Sequence, residues 1–176
     1  AGGLTLDKNL IEHEVNHSLG TLYDYNDWND WEINRGINEA TTEMFALDSI
    51  GDSSNGVSGY QYNVGILRKI KKMVDNEVHK IPGYENTDLL KLAYSDKTAY
   101  RGLDPSGWST NINTKGLFDE ALNDIMDDPN YSNKLKANME IADGGYYHQY
   151  DQKQIKESRK ILKKMVNEVR LKVNGK

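Results

Sequence analysis

The chain has 176 residues, a net charge of −5 and no cysteine. That length supports one domain with a real core and argues against two, while the acidic balance removes any general attraction to nucleic acid or to an anionic membrane surface. Without cysteine there is neither a disulfide framework nor a thiolate metal site, so any metal must be held by His, Asp, Glu or carbonyl oxygen; no apolar run is long enough to span a bilayer.

The opening AGGLTLDKN has neither the charged nor the apolar region of a signal peptide and lacks an initiator methionine, so the sequence reads as a piece of a longer precursor. Residues 7–19 predict a first helix, opened by Asp7 as a cap and closed by Gly20. Residues 20–33, rich in Tyr, Trp, Asp and Asn, read as a loop. Residues 35–50 predict a second helix, closed by Gly51, and GDSSNGVSG is a turn-rich connector. Residues 61–80 predict a long amphipathic helix with Leu67, Ile70, Val74 and Val78 near one face. His79, at its end, reads as a surface or capping residue.

Further helices are expected over 86–96, 114–127, 130–141 and 151–173. The last carries Ile155, Leu162, Val166 and Val169 at helical spacing, which predicts a packed helix with a solvated basic face. KKMVDNEV at 71–78 and KKMVNEV at 163–169 are similar in the way two amphipathic helices of like composition are similar. Only 98–103 and 146–150 look strand-like. The expected fold is therefore mainly α, a single helical domain over 1–176 with little or no β-sheet.

The stretch LIEHEVNHSLG, 10–20, carries the chemistry. Residues four apart on a helix share a face, so His13 and His17 can point at one ion. Glu14 lies on a neighbouring edge, within reach of a water on that ion. Ile11, Val15 and Leu19 fall on the opposite side, where they can enter the core. This is the arrangement that an HExxH zinc helix requires.

Downstream, GINEATTE at 36–43 supplies a second motif. The pair resembles the gluzincin clan of zinc metallopeptidases, in which HExxH gives two ligands and a general base, and a following N-E-x-x-[ST]-[DE] helix gives the third ligand. The resemblance covers about the first 50 residues. It implies zinc held by His13, His17 and Glu39, one ion per chain, with Glu14 activating its water. It implies that Glu43 accepts the other ring N–H of His13 and that Asn38 holds the loop or the substrate backbone. Catalytic zinc takes three protein ligands and one open position, and a metal-bound histidine needs an acceptor to fix its tautomer. Glu12 departs from the family pattern, which has an uncharged residue before the first histidine.

The resemblance also implies that the chain corresponds to the helical carboxy-terminal lobe of such an enzyme, with an upstream β-containing lobe outside this sequence. Stabilising the developing oxyanion needs a further donor. The family's usual tyrosine would fall between Trp28 and Trp31, where there is none. Tyr23 and Tyr25 in the connecting loop, and Tyr146, Tyr147 and His148 in GGYYHQY, are the candidates, with Tyr25 and His148 preferred. The loop YDYNDWNDWE is rich in side-chain oxygen, which raises Ca²⁺. It lacks the order and the glycine of an EF-hand, so solvated loop residues around the two tryptophans are the better account.

Two functions follow as expectations. The first is zinc-dependent hydrolysis of a peptide or protein substrate. The second is a non-catalytic helical protein-binding module that keeps a similar fold. An intact Glu14 favours the first, because a structural metal has no use for a general base beside it.

Overall fold

The computed structural model describes residues 11, 12, 15, 28–56, 59–92, 116–145 and 149–175. Every regular element among them is helical, and together they make one small helical domain. In chain order these are α1 (Trp28–Ser49), α2 (Gln61–Val78), α3 (Leu117–Met126), α4 (Tyr131–Ala142) and α5 (Gln152–Asn174). A short helical turn at 89–92 lies between α2 and α3. Among the described residues, no helix is long and apolar enough to cross a membrane.

The long periodic segments behave as their spacing predicts. On α2, Val64, Leu67, Ile70, Val74 and Val78 are all buried. On α5, Leu162, Val166 and Val169 are buried beside Met165, while Lys156, Lys160, Lys163 and Lys164 are exposed. Their stripes meet Ile37, Met44 and Leu47 of α1, Phe118 and Leu122 of α3, and Leu135 and Met139 of α4 in one core. α4 sits centrally, packed on α1 and on α5.

The ends of the helices follow local chemistry. α1 stops at Gly51, whose φ of 76° is the left-handed conformation that glycine takes without steric cost. The N–H of Asp52 then donates to the carbonyl of Leu47 at 2.8 Å. α5 opens on a capping box: Asp151 accepts from the N–H of Gln154 at 2.8 Å and Gln154 accepts from the N–H of Asp151 at 2.9 Å. His79 caps α2, and its ring Nε2 lies 2.8 Å from the carbonyl of Thr87, so it is tied to the following turn rather than loose at the surface.

Three expectations need correction. α1 begins at Trp28, so residues 28–33 are helix and not loop. Asn and Asp compete with helix by bonding their own backbone, yet α1 runs through them without a break. Second, Ile11, Glu12 and Val15 are helical as expected, yet Ile11 and Val15 are 44% and 43% exposed. Helical spacing defines an apolar side; it does not supply a partner for it. Third, the helix expected at 86–96 starts only at Leu89, with a turn before it, and runs to Leu92; 93–96 lie outside the described residues. The strand-like stretch at 98–103 lies outside the described residues, as do residues 146–148 of the second.

Candidate functional site

The middle of α1 buries an unusual number of polar side chains. Arg35, Asn38, Thr41, Thr42 and Glu43 are all buried, and Glu39 is partly so. A buried charge is costly unless paired and hydrogen-bonded. α1 meets this by crossing α4, where two carboxylates face it.

Arg35 is the hub of that crossing. Its Nε donates to Glu140 Oε1 at 3.3 Å and its Nη2 donates to Asp143 Oδ2 at 2.9 Å. The other oxygen of Glu140 accepts the backbone N–H of Gly36 at 2.7 Å. Burial pushes the Asp143 carboxyl up to about 6, outweighing the pull of the Arg35 cation, and the charges of Glu140 and Glu39 push the same way. Asp143 caps α4, and the chain leaves through Gly144 and Gly145, both at positive φ. The double glycine thus makes the turn that ends α4.

Tyr60 joins the cluster from the start of α2. Its hydroxyl donates to Glu39, and burial together with the negative charges of Glu39 and Asp143 raises the phenol to about 12. It is therefore a neutral donor at any physiological pH. One helical turn beyond Glu39, Glu43 is 1% exposed. The connector after α1 lies directly over it: a Cβ on Gly56 would meet Glu43 Oε1 at 2.6 Å. Asn63, also on α2, donates to the carbonyl of Met139 at 2.8 Å and so ties α2 to α4.

The structure therefore places three of the sequence-predicted site residues, Asn38, Glu39 and Glu43, on one stretch of α1. Glu39 sits at the margin of the core and Glu43 deep within it. His13, Glu14, His17, Tyr25 and His148 lie outside the described residues. Sequence reasoning missed Arg35, Tyr60, Glu140 and Asp143. Arg35 is separated by more than 100 positions from both of its carboxylates, so no local spacing could have joined them.

No protein-family model, no curated protein and no solved structure matches this chain. Among the described residues, no group of three or more His, Cys, Asp or Glu side chains is arranged to hold a metal ion. The gluzincin resemblance, and with it the reading of the domain as that clan's carboxy-terminal lobe, is therefore overturned as an assignment of family. The physical reason is the low information in the two motifs. HExxH fixes only three positions, and the second motif is a short polar and acidic run on one helix, so the pair does not by itself mark a family.

Proposed function

We propose that this chain is a zinc-dependent hydrolase of peptide bonds, on the chemistry of its own residues and apart from any family. The observation that carries the reading is the join of HExxH at 13–17 with a helix that buries Glu43 and keeps Glu39 at the core's edge. The described carboxylates suit those parts. A ligand must be reachable at a margin, and an orienting acceptor is best fixed in the interior. His13, His17 and Glu39 would hold the ion.

Zinc, when bound, supplies a Lewis acid that polarises a carbonyl and brings the pKa of a water toward neutrality. Glu14 follows His13 directly, so its carboxylate takes a proton from the attacking water and returns it to the leaving amine. Glu43 would accept the second ring N–H of His13 and so set its tautomer. Tyr60 holds Glu39 by a hydrogen bond, and Arg35, with Glu140 and Asp143, fixes the part of α1 from which Glu39 projects.

The test is turnover of a generic peptide library by the full-length protein. Glu14→Gln keeps the shape of the side chain and removes the proton acceptor. It should fold as wild type and lose about 10²- to 10⁴-fold in rate. Equal rates for the two proteins would remove Glu14 as the base, and a wild type that binds peptides without cleaving them would establish the binding module instead.

A further inference from the structure

An open cleft of about 410 Å³ lies between α2, the connector before it and α5, lined by Asn55, Tyr62, Gly65, Lys69, Arg159 and Lys163 among others. Three of these residues are cations, and among the described residues no Asp or Glu lines the cleft. Lys69, Arg159 and Lys163 are all exposed, so a solute in the cleft reaches them.

The basic residues of this part of the molecule are not alike. On α5, Lys160 is paired with Glu157 at 3.2 Å and Lys164 with Glu168 at 3.5 Å. On α2, Arg68 is paired with Asp48, and Lys71 with Asp75 and Asp88. Lys69, Arg159 and Lys163 enter no ion pair among the described residues. In a chain of net charge −5, one concave site therefore collects positive charge that nothing nearby neutralises. A cleft lined by one sign of charge focuses its field on an incoming ion of the other sign.

Arg159 is held in place before any ligand arrives. Its Nε donates to the carbonyl of Ala142 at 3.2 Å, and its guanidinium carbon lies 4.8 Å from the centre of the Tyr62 ring. The Tyr62 hydroxyl donates to the backbone carbonyl of Arg159 at 2.7 Å. The fork is thus fixed at one nitrogen and one face, while its two Nη groups make no hydrogen bond among the described residues. A planar fork set in advance loses little freedom on taking an oxyanion. Lys163 follows one turn along the same face of α5. Across the cleft, Gly65 lets Asn55 lie against α2: a Cβ there would meet Asn55 Nδ2 at 2.9 Å. An amide donor is thereby brought to the same cleft as the three cations.

The occupant follows from charge and shape. A carboxylate carries one charge, whereas a phosphate group carries about −1.5 to −2 on compact acceptor oxygens and so meets a fork and two ammonium groups better. The volume suits a small ligand. Tyr62 packs against the core and has Arg159 over its ring, so it is no platform for stacking the bases of a nucleic acid. We propose that this cleft binds the phosphate group of a small solute, with the Nη groups of Arg159 and the ammonium groups of Lys163 and Lys69 taking its oxygens. The site stands apart from zinc and from peptide turnover.

The experiment is titration calorimetry of the full-length protein with inorganic phosphate at low ionic strength and about pH 8, where the ion is mostly a dianion. One phosphate should bind per chain. Arg159→Lys, which keeps the charge and loses the fork, and Lys163→Gln should each weaken binding about tenfold, the loss of one charge-assisted contact. Lys164→Gln, whose charge Glu168 already takes, should bind as wild type. Phosphate held at a zinc ion would be indifferent to Lys163→Gln, so an unchanged affinity in that exposed variant would overturn this site and leave the zinc reading untouched. Acetate binding as tightly as phosphate would overturn the choice of a phosphate group. Protein that sediments with phosphatidylcholine vesicles containing phosphatidic acid, yet takes up no free phosphate, would make a membrane surface the occupant and overturn the small solute. Failure to bind any of these probes would overturn the site altogether.

Discussion

Gly36 of α1 lies against the backbone of Glu140 of α4, close enough that its N–H donates to Glu140 Oε2 at 2.7 Å. A Cβ at position 36 would meet Glu140 N at 2.6 Å and Met139 C at 2.7 Å. Glycine within a helix costs about 1 kcal/mol relative to alanine, so here it is the closeness of the two helices that requires it. The opposing atoms are backbone and cannot swing aside. Gly36→Ala should therefore destabilise the protein, by about 1–3 kcal/mol or more as overpacking does, despite the gain in helix propensity. Urea unfolding of the two proteins measures this; a stabilised variant would show that α1 and α4 can slide apart.

Arg35 neutralises two carboxylates in the same crossing. Arg35→Met keeps much of the apolar stem and leaves Glu140 and Asp143 buried beside each other without a cation. Breaking a buried pair from one side costs about 3–5 kcal/mol, and the loss should be visible in the unfolding midpoint. A change below about 1 kcal/mol, the range of surface pairs, would show that water reaches the cluster.

Asp143 adds a pH dependence whose direction is fixed by its shift. Its folded-state value of about 6 lies above the ordinary carboxyl value of 3.8. The folded protein thus holds this proton more tightly than the unfolded chain. The contribution is fully present below about pH 4, is lost as pH rises toward 6, and changes no further above that. In Asp143→Asn it is absent. The thermal midpoint of wild type minus that of the variant should fall between pH 4 and 6; a difference that rises over that window would reverse the assignment.

The parts of the fold that were legible in the sequence are those governed by period and by caps. The stripe on α2, the final helix and the stop at Gly51 all rest on interactions within a few residues. Where partners lie far apart, the sequence offered nothing to read. Arg35 has no spacing that points to Glu140, and Tyr60 none that points to Glu39. The polar run after Trp28 was read as loop because Asn and Asp favour turns locally, yet α1 runs through it. The apolar side of the segment holding Ile11 and Val15 was visible, but its exposure was not. The candidate site shows the same limit: the spacing of Glu39 and Glu43 on one helix was readable, whereas their different depths were not.

Tyr131 tests how α4 is fastened to α5. It is 6% exposed, and its hydroxyl lies 3.1 Å from the carbonyl of Met165 and 3.0 Å from Glu168 Oε2. Burial and the Glu168 carboxylate push the phenol well above its ordinary value. Tyr131→Phe retains the ring and should cost about 1–2 kcal/mol, the range of a hydrogen bond to a buried carbonyl shared with a charged group. Denaturant unfolding checks the size, and an unchanged stability would show that Glu168 and the carbonyl are satisfied without it.

Metal content tests the proposed function most directly. Protein purified without added metal should carry about one zinc per chain by elemental analysis, the stoichiometry of a site with three protein ligands and one open position. His17→Ala should carry almost none while keeping its helical circular dichroism, because two remaining ligands hold zinc poorly. A wild type that takes up no zinc even after dialysis against it, or a His17→Ala protein that is fully loaded, would contradict the account.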